Sequence, residues 1–280
     1  MNYQNLALVS TLAALLINGP ATIEAIDRVS PGGIEPNGSS YESALSKDGR
    51  YIFIKSRATN LILGDTNSKD DVFRLDRETG TVIRVSTDGA NAELHTASGN
   101  PAPDSSGNLV AFDTSTAIAA TDSNSNFDVY LKNITTGAVE QISVSSGGAG
   151  ANAQSQDPDM SADGTRIVFE SNANNLDIGD TGLDFDIFIR DLNLGTTTRI
   201  SKAAGGGEAD DHSFNPRISA DGRYVVFESD ATNLVAGDMN SASDIFLYTV
   251  ETGALERISE KPDGTEADFG SIRPDISGDG

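Results

Sequence analysis

One tight turn recurs at a nearly fixed step along this chain of 280 residues. Asp48-Gly49, Ser106-Gly107, Asp163-Gly164, Asp221-Gly222 and Asp279-Gly280 follow one another at intervals of 58, 57, 58 and 58 residues. A second turn, Thr79-Gly80, Thr136-Gly137, Leu194-Gly195 and Thr252-Gly253, keeps the same step, so the internal geometry repeats and not one motif alone. A chain punctuated in this way is one unit stacked on copies of itself, and the repeat, not the length, sets its organisation.

Within each unit a short segment (Pro158 to Ser161, Pro216 to Ser219) precedes the first turn and an apolar run follows it. The runs are Tyr51-Ile52-Phe53-Ile54, Leu109-Val110-Ala111-Phe112, Ile167-Val168-Phe169 and Tyr224-Val225-Val226-Phe227. Short runs rich in β-branched and aromatic residues and bounded by Gly turns read as strands buried on both faces. After a loop, Val72 to Leu75, Val129 to Lys132, Ile187 to Arg190 and Ile245 to Tyr248 suggest a third strand. The second Gly turn folds each back into a fourth strand, which ends Arg84-Val85-Ser86, Gln141-Ile142-Ser143, Arg199-Ile200-Ser201 or Arg257-Ile258-Ser259. Gly supplies the positive φ such hairpins need.

Four antiparallel strands per unit, with no 3.6-residue period after the leader, leave a sandwich, a solenoid or a propeller. A solenoid coil takes about 20 to 30 residues and a propeller blade about 40 to 50. A 58-residue unit therefore predicts an all-β propeller of four-stranded antiparallel blades with two lengthened loops. Blade one covers about 43–86, blade two 101–143, blade three 158–201 and blade four 215–259, with a partial fifth blade at 271–280. The alternative is two β-sandwiches built from duplicated hairpins.

The phrase Ser219-Ala220-Asp221-Gly222-Arg223-Tyr224-Val225-Val226-Phe227-Glu228-Ser229, then Asp244-Ile245-Phe246, then Thr252-Gly253, resembles the TolB-like or WD40-like (PD40) propeller repeat. The match recurs with variations in every unit and covers roughly residues 26 to 280. The resemblance implies the propeller fold; it implies the envelope role of TolB only weakly, because the blades here are longer and the N-terminal α/β domain of TolB is missing.

Composition narrows the partners. Lys and Arg total 19 against 42 Asp and Glu, a formal charge of −23. This argues against nucleic acid and anionic membrane surfaces, which demand a basic face, and favours cations or basic proteins. With no Cys there is neither a disulfide framework nor a thiolate metal site. The apolar run Leu6 to Ile17 has the size of a signal-peptide core, although no Lys or Arg precedes it. Residues 1–25 are thus expected to direct export to the periplasm, cell surface or medium. Asp27-Arg28-Val29-Ser30 match the end of a fourth strand and Arg273 to Gly280 match a first strand and turn. A fifth blade completed from both ends would lack its second and third strands. The pattern therefore predicts a longer array, with a four-bladed ring carrying surplus strands as the alternative.

The loop between second and third strands carries the candidate chemistry. It pairs Asp65 with Asp71, Asp122 with Asp128, Asp180 with Asp186 and Asp238 with Asp244. Two residues after the first Asp stand Asn67, Asn124 and Asn240, and blade three adds Asp184. Oxygen groups two residues apart, closed by a further carboxylate, suit a hard cation such as Ca²⁺; the competing reading is that these Asp residues only cap turns. A second recurrent loop, including Gly206-Gly207-Glu208-Ala209-Asp210 and Gly264-Thr265-Glu266-Ala267-Asp268, reads as structural, joining adjacent blades. His95, His212, Phe214 and Phe269 break the repeat and are better ligand candidates. Acids distributed by the repeat, only two His, and neither a G-x-S-x-G elbow nor H-E-x-x-H argue against catalysis. The expected function is an exported, Ca²⁺-stabilised scaffold for a protein or glycan ligand. The alternative is the non-catalytic segment of a secreted lyase or hydrolase.

Overall fold

The computed structural model describes residues 35–280; the leader and the strand ending at Asp27 to Ser30 lie outside the described residues. Among the described residues sixteen strands form four antiparallel sheets of four, each meandering in chain order. Blade one holds β1 (Ser40–Leu45), β2 (Tyr51–Ser56), β3 (Asp71–Asp76) and β4 (Val82–Arg84). Blade two holds β5 (Ser98–Pro103), β6 (Leu109–Thr114), β7 (Asp128–Asn133) and β8 (Val139–Gln141). Blade three holds β9 (Ser155–Met160), β10 (Arg166–Ser171), β11 (Asp186–Asp191) and β12 (Thr196–Arg199). Blade four holds β13 (Ser213–Ile218), β14 (Tyr224–Ser229), β15 (Asp244–Thr249) and β16 (Ala254–Arg257).

The apolar runs are continuous because each middle strand packs on two neighbours. Phe53 and Val72 of blade one share a core with Val110, Phe112 and Tyr130 of blade two. The opposite face of blade two joins Ala111 and Val129 to Ile167, Phe169 and Phe188 of blade three. Val168 and Ile187 then meet Val225, Phe227 and Phe246 of blade four. Most of the hydrophobic core thus lies between blades; the other face of blade one forms its own cluster of Ile54, Ala58, Leu61 and Phe73.

Two backbone contacts recur at these junctions. The first-turn amides form a ladder, Lys47 N–H to Ser105 O (3.2 Å), Ser105 to Ala162 (2.9 Å) and Ala162 to Ala220 (2.9 Å). At the opposite end Ser98, Ser155, Ser213 and Ser271 each donate an amide to the carbonyl preceding β3, β7, β11 or β15, at 2.7 Å. Residues 271–280 make the same junction contacts against blade four, including Asp221 N–H to Gly278 O at 3.3 Å. The first-turn Gly is fixed twice over. Gly107 has φ +67°, and a Cβ there would stand 2.7 Å from the Tyr51 ring of the preceding blade.

The first strands begin at Ser40, Ser98, Ser155 and Ser213, ahead of the segments that the sequence pattern marks. The reason is a bulge. Glu42, Asn100, Asp157 and Asn215 adopt φ of 52°, 49°, 51° and 53°, and the pairing with the second strand shifts there. A left-handed residue breaks the alternation by which a strand is recognised. Both long loops of each blade, second to third strand and fourth strand to next blade, leave from one end of the sheets. The Gly turns occupy the other.

Candidate functional site on the long-loop face and the axis

The paired Asp residues of blades one, three and four lie together, and each pair acquires a third carboxylate from the following loop. The groups are Asp65, Asp71 and Glu93; Asp180, Asp186 and Glu208; and Asp238, Asp244 and Glu266, with ligand atoms within 4.8 Å of one another. Clusters of this kind could hold a metal ion. Each already contains a cation of its own, the Arg that ends the fourth strand. Arg84 lies 2.8 Å from Glu93, 3.3 Å from Asp65 and 3.7 Å from Asp71. Arg199 lies 2.9 Å from Asp186, 3.0 Å from Glu208 and 3.6 Å from Asp180. Arg257 lies 2.9 Å from Glu266, 3.5 Å from Asp244 and 3.9 Å from Asp238.

One guanidinium does not balance three carboxylates, and the paired Asp side chains are almost wholly buried. Burial pushes Asp71 up to about 6. Burial and the neighbouring carboxylates push Asp180 and Asp238 up to about 6. Glu93 is held down at about 2: burial opposes this, but hydrogen bonds from Thr66 and the charge of Arg84 prevail.

Blade two solves the same problem without charge. Gln141 replaces the Arg, Gly150 replaces the Glu and Tyr130 replaces the Phe found at 73, 188 and 246. The Tyr130 hydroxyl donates to Asp122 (2.6 Å) and Gln141 Nε2 donates to Asp128 (3.1 Å). Asp122 and Asp128 therefore stand with neutral donors and no third acid.

The remaining predicted residues are placed differently. Asn67, Asn124 and Asn240 use their carbonyl oxygens to accept the amides of Lys69, Asn126 and Ala242, at 2.7, 2.5 and 2.7 Å. Their amide nitrogens donate inward, from Asn67 to Asp71 at 3.1 Å and from Asn124 to Asp128 at 2.8 Å. These Asn residues cap the loop; in this geometry their oxygens face away from the carboxylates. Asp184 is separate from Asp180 and Asp186 and meets Asp211 and His212 instead. His212 Nδ1 accepts the Phe185 amide (2.8 Å), so its proton sits on Nε2, 3.3 Å from Asp184. An imidazole so bonded has no lone pair left for a metal. Phe185 and Phe214 flank it, with ring centroids 6.0 and 5.4 Å away. Sequence reasoning missed the Arg and the third Glu, although the signal was present: where the strand-ending Arg becomes Gln141, the loop Glu becomes Gly150.

The second unforeseen feature is the axis. The first strands of blades one to three, with Arg217 of blade four, line a cavity of about 340 Å³ whose charged residues are Glu42, Asp157, Asp159 and Arg217. The amides of the left-handed residues are captured there by the preceding blade. Asn100 donates to Glu42 (3.0 Å), Asp157 to Asp113 (3.2 Å), Asn215 to Glu170 (3.0 Å) and Arg273 to Glu228 (3.0 Å). Blade one has Lys55 where Asp113, Glu170 and Glu228 stand, so Glu42 is the acceptor and Lys55 holds it at 2.9 Å. Burial raises Asp113 to about 6 and Glu170 to about 7, and also raises Asp157 and Asp159.

No protein-family model matches the sequence, and no curated protein matches it. Solved structures do match. TolB from Acinetobacter baumannii aligns over 79% of this chain and 43% of its own, with 17% identity and a TM-score of 0.50. A putative TolB from Agrobacterium tumefaciens aligns over 77% of this chain and 63% of its own, with 18% identity and a TM-score of 0.50. A prolyl endopeptidase aligns over 79% of this chain and 29% of its own, with 13% identity and a TM-score of 0.50. The chain thus spans less than two thirds of the length of each. Blade-by-blade repetition, four-stranded meanders and these likenesses together make the chain a β-propeller of TolB-like fold.

Proposed function

We propose that this protein is an exported, non-catalytic propeller scaffold that receives a basic segment of a protein partner at its acidic axis, with Ca²⁺ as a stabilising ion. The axial cavity carries this reading. Its acids, Glu42 from blade one and Asp157 and Asp159 from blade three, outnumber Arg217, the one cation among its lining residues. A chain of net charge −23 attracts basic partners at long range, and a concave, partly desolvated mouth focuses that field. Isothermal titration with a Lys-rich nonapeptide and its Glu-substituted counterpart tests it. The basic peptide should bind, with affinity falling at least about tenfold between about 50 and 300 mM NaCl, and Asp157→Asn with Glu42→Gln should weaken it further. Equal binding of both peptides, or none, would remove the reading. The Phe185, His212 and Phe214 cluster, formed at one junction, supports a glycan ligand as the second reading, since aromatic faces stack on sugar rings. Binding of neutral oligosaccharides that is lost in Phe214→Ala would favour it.

A further inference from the structure

The blade-four pocket differs from its counterparts in what its buried oxygens meet. The side chains of Asp238 and Asp244 are 2% and 0% exposed, and Asp238 Oδ1 and Asp244 Oδ2 have no hydrogen-bond partner. Arg257 Nη1 reaches Glu266 but stands 3.9 and 3.5 Å from those two oxygens, beyond a normal hydrogen bond. The Asn240 amide donates to the Ala267 carbonyl at 2.8 Å, as its counterparts do to Leu94 and Ala151, but lacks the second bond, to the Asp, that Asn67 and Asn124 make. In blade three the counterpart of Asp244 is covered on both oxygens: Asp186 accepts from Ser201 (2.5 Å) and Arg199 (2.9 Å), and Lys202 adds a second cation 2.6 Å from Asp177. Blade one leaves Asp65 Oδ1 unpaired, while Asn67 covers Asp71. Blade two has no third acid.

Three carboxylates against one guanidinium leave two negative charges, with two buried oxygens unmatched. A dication of hard-oxygen preference would answer both. The donors come from separate loop positions and are all carboxylates, which suits the irregular coordination of Ca²⁺ better than the strict octahedron of Mg²⁺. We propose that Asp238, Asp244 and Glu266 bind one Ca²⁺, with Arg257 as a flanking charge retained on Glu266. The site rests on the calcium part of the reading above and assigns it to one blade.

The same fold supplies a benign replacement, because blade two builds this junction from Tyr, Gln and Gly. Equilibrium dialysis against ⁴⁵Ca²⁺ in physiological salt, on chelator-stripped protein, compares the wild type with Phe246→Tyr/Arg257→Gln/Glu266→Gly and with Glu266→Gln. The triple variant is expected to bind one ion fewer per chain, with an unchanged circular dichroism spectrum. Glu266→Gln should weaken uptake at this site about tenfold or more, and equimolar Mg²⁺ should not compete. An unchanged ion count in the triple variant would overturn the assignment to blade four. No uptake by the wild type at millimolar Ca²⁺ would overturn the calcium reading as a whole, leaving the axial reading untouched.

Discussion

Single residues here carry two constraints at once, and mutations separate them. Gly80 has φ +70° with open space beside it, whereas Gly107 has φ +67° and the Tyr51 ring against its vacant Cβ position. Gly80→Ala is expected to cost about 1 kcal/mol, from backbone strain alone. Gly107→Ala should cost about 2 to 4 kcal/mol, because overpacking is added; urea midpoints compare the two. The repeat made both glycines legible as turns. That the first also touches the neighbouring blade was not, because the contact joins residues 56 positions apart. The buried arginines show the same division. Arg199→Met leaves Asp186, Asp180 and Glu208 without their cation and should cost about 3 to 5 kcal/mol. Arg50, on the surface with Asp76 and Glu78, should be replaceable by Ala with little change in the same measurement.

At the level of the element, the first strand of each blade is the least strand-like in sequence and the most specialised in structure. Its left-handed residue turns an amide toward the preceding blade, where Glu42, Asp113, Glu170 or Glu228 accepts it. The bulge therefore converts a strand edge into a latch between sheets. Asn100→Gly should cost about 1 to 3 kcal/mol, because Gly takes φ near 49° freely but the side-chain amide that donates to buried Asp113 at 2.7 Å is lost. Asn100→Val should cost about 2 kcal/mol more, because a β-branched residue also resists that conformation; thermal melts distinguish the pair. The second and third strands behave otherwise. Their apolar runs were readable because each is buried on both faces, and six-residue registers such as Tyr51↔Asp76 through Ser56↔Asp71 hold without interruption.

For the whole molecule the balance of acids sets the pH response. Asp71, Asp113, Asp128, Asp180 and Asp238 are raised to about 6 and Glu170 to about 7, chiefly by burial. A raised acid binds its proton more tightly in the folded than in the unfolded chain. The stability it contributes is complete below the unfolded pKa near 4 and is lost as pH rises through 6 to 7. Glu93, held at about 2, acts in the opposite sense, contributing above its unfolded pKa and losing that contribution as pH falls through 2. Denaturant midpoints should therefore peak in the weakly acidic range, near pH 4 to 5, and decline toward pH 8. Millimolar Ca²⁺ should reduce that decline, because it neutralises carboxylates that have lost their protons.

The repeat, the four strands of each blade and the propeller architecture were determined by the sequence alone, because turn glycines and two-faced apolar runs are local signals copied once per unit. The pairing of Asp65 with Asp71, and of its counterparts, was likewise visible in the spacing. Only the tertiary structure decided what those pairs meet. Arg84, Arg199 and Arg257 arrive from the fourth strand, and Glu93, Glu208 and Glu266 from the loop beyond it, across sequence gaps that local pattern does not span. The same holds for the axis, where Glu42 of blade one meets Asp157 and Asp159 of blade three around one cavity only after the first strands stand side by side. Charge neutralisation depends on distance in space, and a linear sequence states distance only along the chain.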